Sequence, residues 1–286
     1  MTSSRWSDLE RPPLNAGALR KAVVTPEAVW TSLDVVDATG STNADLSARA
    51  AQGEPEGAVL VAEEQTAGRG RLDRQWTAPA RSGLFFSVLL RPGEDFGGYG
   101  PVPVHRWGWL PLLAGVAAAT ALSRAAGVDT ALKWPNDLLL TIDGEERKAG
   151  GILAERVGDT AVVIGLGVNV SLRAEELPVP SAASLLLAQA PGTDRDPLLR
   201  AVLRSLGDWY GAWRSEGGDP SASRLEQTYA AGCATLGRQV RAELPGGREL
   251  SGTAVAVDGD GRLVISGPEG EQPVGAGDVV HLRPAG

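Results

Sequence analysis

Hydrophobic and polar positions change period several times along the chain, and each change marks an element. Residues 1–31 carry Pro12, Pro13 and Pro26 and little periodicity, which predicts a loosely structured leader with room for a short helix. Residues 33–37 predict a first strand. Ser41 or Thr42 then caps a helix that passes through Leu46 and Ala50 and stops at Gly53. Strands are predicted at 58–62 and, with aromatic and branched residues, at 84–90. The uncharged run 107–123 falls short of the ~20 residues a membrane span needs. Arg124 and Gly127 close it, so it predicts a buried core helix.

Three strands follow at 138–142, 151–154 and 161–170, the first two joined by an Asp143-Gly144 hairpin turn. Asp196-Pro197, a cap followed by proline at the first helical position, predicts a helix over 198–213; Asp219-Pro220 repeats the device before 225–231. Strands arriving in hairpins, with helices set apart, predict an α+β fold: a mixed or antiparallel sheet with flanking helices. From Gly237 onward, branched stretches at 239–244, 253–257, 263–265 and 279–282 alternate with Gly-Gly, Asp-Gly and Pro turns. That pattern predicts a small five-stranded β barrel or sandwich. The expected organisation is a leader at 1–31, a main domain at 32–233 and a β domain at 237–286.

Composition narrows the function. Thirty-five acidic residues against 27 basic ones leave a net charge of −8, the wrong balance for a general nucleic-acid binder. The single cysteine, Cys233, excludes an internal disulfide and a cysteine-based zinc site. His105 and His281 are too far apart for a histidine-pair metal motif. Residues 1–11 are polar and lack the apolar centre of a signal peptide, so the chain reads as cytoplasmic, with no membrane partner. Only three basic residues are lysine, namely Lys21, Lys133 and Lys148, which marks the last two as positions where a compact ammonium matters.

Four blocks carry candidate chemistry. Between Thr66 and Arg81 stand four arginines and one aspartate, with Gly68, Gly70 and the sequence Arg69-Gly70-Arg71 at the centre. Glycines let a backbone approach an anion and arginine forks suit phosphate, although a solvated surface loop has the same composition. Lys133-Trp134-Pro135-Asn136-Asp137 precedes a strand; the tryptophan reads as core, whereas three polar groups at a strand end converge where ligands bind. Arg147-Lys148-Ala149-Gly150-Gly151-Ile152-Leu153-Ala154-Glu155 sets a lysine beside a glycine pair, as a strand-end charge or as a close approach to a ligand. Gly165-Leu166-Gly167-Val168-Asn169 places two glycines in a burial-fit strand, where a bulge is the competing reading. No G-x-x-x-x-G-K-[ST], G-x-G-x-x-G with a following helix, or G-x-S-x-G occurs, which sets aside P-loop, dinucleotide and serine-elbow chemistry.

With Gly40-Ser41-Thr42-Asn43 ahead of them, these blocks occur in an order that resembles the biotin–protein ligase family over residues 33–170, and more weakly to the end of the chain. The resemblance implies the biotin/lipoate ligase catalytic fold with a C-terminal SH3-like barrel. It implies activation of biotin by ATP, with Mg²⁺, to biotinyl-5′-adenylate. Biotin then passes to a lysine on the biotin carrier domain of an acyl-CoA or pyruvate carboxylase. Ser41, Thr42, Asn43 and Gln65 would bind biotin, whose ureido ring offers one acceptor and two donors. Arg69, Gly70, Arg71 and Lys148 would hold carboxylate and phosphate, and Trp76 would stack on adenine. Gly150, Gly151, Gly165, Gly167 and Asn169 complete the expected binding set. Lys148, Arg69, Arg71, Lys133 and Asp137 are the expected catalytic groups, and Asn136 is a candidate for metal or ribose. Leu72-Asp73 departs from the more basic or glycine-rich continuation usual after the loop. A lipoate or octanoate ligase is the rival enzyme, although its Arg-Arg and Gly-Gly-Gly…His-Asp signature is missing; a non-catalytic biotin- or nucleotide-binding regulator is the rival of another class. The 39 residues before Gly40 are too few for a winged-helix domain plus a strand, so no DNA binding is expected.

Overall fold

Asn15 opens the first helix of the computed structural model, which describes residues 10–72, 74–95, 97–244, 247–275 and 278–282. Its Oδ1 accepts from Ala18 N at the start of α1 (Ala16–Val23), whose Leu19 and Val23 lie one turn apart on the buried face. The expected loose leader is therefore corrected over the described part, 10–31. Leu14 and Trp30 are buried as well, and Trp30 Nε1 donates to Leu203 O at 2.8 Å. Two prolines and a short helix hid an apolar spacing of four residues.

In chain order come β1 (Ser32–Val36), α2 (Thr42–Ala51), β2 (Ala58–Ala62), β3 (Gly68–Arg69), β4 (Gln75–Trp76) and β5 (Gly83–Leu90). A 3-10 turn, Val104–Trp109, leads into α3 (Leu110–Ala126), followed by β6 (Ala131–Lys133), β7 (Asp137–Ile142), β8 (Glu145–Val157) and β9 (Ala161–Asn169). The helices α4 (Arg195–Ser215) and α5 (Leu225–Gly232) close the main unit. Seven strands form a mixed sheet in the order β1-β2-β5-β9-β8-β7-β6, parallel only between β1 and β2. The expected α+β class holds.

Alternation along β2 and β5 divides the core. Leu60 and Leu89 pack with Leu46 and Ala50 of α2 on one face, while Val59, Val61, Leu84, Phe86 and Val88 face α3 and α4 on the other. Helix α3 lies within the helix 104–126, the one stretch among the described residues long and apolar enough to cross a membrane; most of its apolar window is buried inside the protein. It packs on α4 and ends at Gly127, whose φ of 71° is the left-handed cap glycine allows.

Two helix starts differ from expectation. Asp194, not Asp196, caps α4 by accepting from Asp196 N at 3.1 Å, which frees the Asp196 carboxylate to accept from Asn15 N. Asp219 caps only a turn, through Ser221 N and Ala222 N, and α5 begins at Leu225 after Arg224 turns left-handed.

The C-terminal unit comprises β10 (Gln239–Leu244), β11 (Arg248–Val257), β12 (Leu263–Gly267), β13 (Gly270–Val274) and β14 (Asp278–His281), an antiparallel sheet in the order β13-β12-β11-β10-β14. Its 258–261 turn docks on the main unit: Trp109 Nε1 donates to Asp258 O and Trp134 Nε1 to Gly261 O, both at 3.1 Å. Trp134 is thus a buried anchor, as its sequence context suggested.

Candidate active site

Where α2 stops covering the sheet, a cleft of about 1760 Å³ opens, walled on its far side by 237–239 and 278–282 of the C-terminal unit. The floor is made by pairing register. Gly151 lies opposite Gly167, which lies opposite Phe85; Leu153 lies opposite Gly165, which lies opposite Ser87. A Cβ on Gly165 would sit 2.1 Å from Asn43 Oδ1, and one on Gly167 would sit 2.8 Å from the Trp76 ring. These glycines are therefore gaps filled by other side chains, not bulges. Gly150 differs: it packs on Leu138 and the backbone of Gly167 and does not line the cleft, contrary to its expected binding role.

At one end lies a polar turn. Ser41 caps α2, and Ser41, Thr42 and Asn43 are all buried. Gln65 Oε1 accepts from Thr42 N at 2.8 Å. Ser87 Oγ lies 2.8 Å from Thr42 Oγ1 and 2.6 Å from Asn43 Oδ1. Asn43 Nδ2 donates to Leu153 O and, at 2.8 Å, to Glu155 Oε2. Hydroxyls and amides already networked in this way present fixed donors and acceptors to a ligand.

At the other end the charges gather. A register shift beside Leu138 and Leu139 puts an extra residue in β8, so Lys148 shares the cleft face with Gly151. Lys148 Nζ pairs with Asp137 Oδ1 at 2.6 Å and stands 5.9 Å from the centre of the Trp76 ring. Segment 181–183 completes its backbone bonding: Lys148 N donates to Ser181 O, and Ala183 N to Lys148 O. Arg71 Nη1 donates to Asn136 Oδ1 at 3.2 Å; burial lowers the Arg71 pKa, against Asp137 and Asp278, which raise it. Lys133 lines the same region from β6.

The Gly-Arg loop is a small hairpin built on the β3–β4 ladder, with Arg74 at its base bonded to Asp278. That bond, with the charge of Asp278, raises the Arg74 pKa. Arg69 Nη2 pairs with Glu155 Oε1 at 2.8 Å, and Gly70 N donates to Arg74 O. Leu72 stands exposed at the tip; Asp73, the other half of the noted departure, lies outside the described residues.

Three of the expected site residues already have neighbours within the protein. Trp76 covers the floor left by Gly151 and Gly167, with Nε1 buried and unpartnered, and its ring lines the cleft. Asn169 Nδ2 is spent on Ala183 O at 2.9 Å, holding the 181–183 segment. Asn136 gives Oδ1 to Arg71 and Nδ2 to Ile152 O, and Asp137 is bonded to an ammonium. Among the described residues no three His, Cys, Asp or Glu side chains converge as metal ligands. These donors do not fit a protein-held Mg²⁺, and no step is routed through one.

Sequence reasoning missed Ser87, Glu155, Asp278 and His281. Ser87 had a signal, as the one hydroxyl in the buried strand GLFFSVLL. His281 bonds Thr235 Oγ1 through Nε2 at 3.0 Å, and its pKa falls to about 4 through burial, then through Lys133 and Arg238, against Glu146.

Comparison with known proteins agrees with this geometry. The family model described as biotin/lipoate A/B protein ligase matches residues 35–169, and that described as biotin protein ligase C terminal domain matches 235–282. A biotin–[acetyl-CoA-carboxylase] ligase of Mycobacterium tuberculosis is 42% identical over 280 residues, covering 96% of this chain and 98% of that one. Its counterpart from Paracoccus denitrificans is 33% identical, covering 84% and 97%. The biotin protein ligase of Aquifex aeolicus in complex with biotin and ATP superposes with a TM-score of 0.70 at 27% identity, covering 89% of this chain and 100% of that one. With near full-length identity of this order and both family models in sequence, the chain belongs to the biotin/lipoate A/B protein ligase family.

Proposed function

We propose that this chain is an ATP-dependent biotin–protein ligase that forms biotinyl-5′-adenylate and transfers biotin to a lysine on the carrier domain of a biotin-dependent carboxylase in the cytoplasm. The observation that carries this reading is the arrangement of the cleft. A buried hydroxyl-and-amide turn at Ser41–Asn43 faces one end of a glycine floor, and Lys148, Arg71 and Asp137 gather at the other. A ureido ring suits the first end and two anions the second.

In the first step a biotin carboxylate oxygen bonds to the α-phosphorus of ATP, and the bond to pyrophosphate breaks. Two anions must meet, so the charges of Lys148, Arg71, Arg69 and Lys133 offset repulsion and stabilise the charge that builds in the transition state. In the second step a lysine amine attacks the adenylate carbonyl and AMP leaves. The amine, with an ordinary pKa of about 10.4, must shed a proton, and Asp137 is the carboxylate placed to take it. Its ion pair with Lys148 orients it.

Incubation with biotin, MgATP and a carrier domain of an acyl-CoA or pyruvate carboxylase, followed by intact mass, tests the proposal. A carrier gain of one biotin is expected. A gain with lipoate in place of biotin assigns the chain to the other branch of its family; no gain with either, despite biotin binding, makes it a regulator.

A further inference from the structure

Glu155, on the rigid strand β8, uses its two carboxylate oxygens on two different parts of the site. Oε2 accepts from Asn43 Nδ2 at 2.8 Å, and Oε1 pairs with Arg69 Nη2 at 2.8 Å. Asn43 belongs to the buried turn and Arg69 to the Gly-Arg loop, so one side chain joins the parts assigned to opposite ends of the substrate. The remaining contacts of Asn43 fix the geometry: Nδ2 also reaches Leu153 O, Ser87 Oγ approaches Oδ1 at 2.6 Å, and Gly165 leaves the space that the amide fills. Arg69, half exposed on a two-residue ladder, has no such support from its own element.

We propose that Glu155 is a positioning residue that couples the Ser41–Asn43 turn to the Gly-Arg loop, so that order in the turn sets where Arg69 stands. A carboxylate is required because it accepts on both oxygens and carries the charge that holds the guanidinium. An amide at this position keeps one acceptor for Asn43 and turns its NH₂ toward Arg69, which releases the loop while leaving the turn intact. Glu155→Gln therefore separates the two functions with almost no change of volume.

The kinetic consequence rests on the biotin-ligase reading above; the coupling itself does not. In the ligand-free protein, mass-mapped tryptic cleavage after Arg69 is expected to be about threefold faster in Glu155→Gln than in wild type, the scale of losing one partly exposed ion pair. The biotin KM is expected to rise about fivefold, and kcat to fall by no more than Arg69→Gln alone lowers it, since Glu155 acts only by placing Arg69. Arg69→Gln with Glu155→Gln should be no worse in KM than Arg69→Gln alone, because Glu155 acts through Arg69. Equal cleavage of wild type and Glu155→Gln overturns the proposal, as does a double variant whose KM effect is the product of the singles. If wild type shows no biotin-dependent pyrophosphate release, the ligase reading falls and the cleavage arm still decides the coupling.

Discussion

Lys148 is aimed by its neighbours rather than by its own strand pattern. Strict alternation would put it on the face of Gly150; the extra residue at the bulge turns it to the face of Gly151, beside Asp137. Lys148→Ala is expected to lower biotin-dependent pyrophosphate release about 10²–10³-fold. The same change costs ~1 kcal/mol or less in stability, because the ion pair it breaks is partly exposed. Lys148→Arg should not restore release, since a bulkier planar fork does not place one compact charge at the point 2.6 Å from Asp137 Oδ1 that the ammonium occupies. Release by either variant at more than half the wild-type rate would remove this lysine from the reaction. At Gly165 the expected effect is steric: Gly165→Ala pushes on Asn43 Oδ1, so biotin affinity should fall, and the thermal midpoint with it by the equivalent of ~1–3 kcal/mol.

Elements with a clean period were legible in the sequence, and those defined by partners were not. Strand β2 was read to the residue because five apolar positions are bounded by turns, and α2 announced itself through its cap. Strand β8 was read as four residues and spans thirteen, since its ends are charged and gain their strand character from β7 and β9. Strand β13, Gly-Glu-Gln-Pro-Val, has no apolar pattern and exists through pairing with β12 at a sheet edge. The site divides in the same way. Ser41, Gln65, Arg71 and Lys148 stood in recognisable blocks, whereas Glu155 matters because of Asn43, 112 positions away. The described side-chain ties of the Gly-Arg loop to β8, Asn136 and β14 are all made by arginine. Ties to polar partners are weak singly, so the loop should open readily and be quieted by ligand. A non-hydrolysable biotinyl-adenylate analogue is expected to slow tryptic cleavage after Arg71 by about tenfold or more. Equal rates with and without it would show that the loop takes no part in binding.

Across the whole molecule, the two units meet at His281 as well as at the 258–261 turn. Its ring is packed among Thr235, Lys133, Arg238 and Glu146, and its pKa drops from 6.5 to about 4. Between those values the unfolded chain binds a proton there and the folded chain does not, so stability contributed by the neutral ring is lost as pH falls through that window. His281→Asn should therefore show a shallower loss of urea midpoint than wild type between pH 6.5 and 4, while carboxylates common to both cancel in the difference. Parallel curves would place the ring outside the titrating set.

The buried leader bears on how such a protein is cut for study. The family model begins at residue 35, yet the folding unit reaches back at least to Leu14, whose amide is held by Glu63 at 2.6 Å while Arg195 grips the same carboxylate and the carbonyl of Pro12. An expression clone trimmed to the recognised boundary would leave the Glu63–Arg195 pair open to solvent and strip the cover from α4. The edge of the family model and the edge of the folding unit are different lines on this chain, about twenty residues apart.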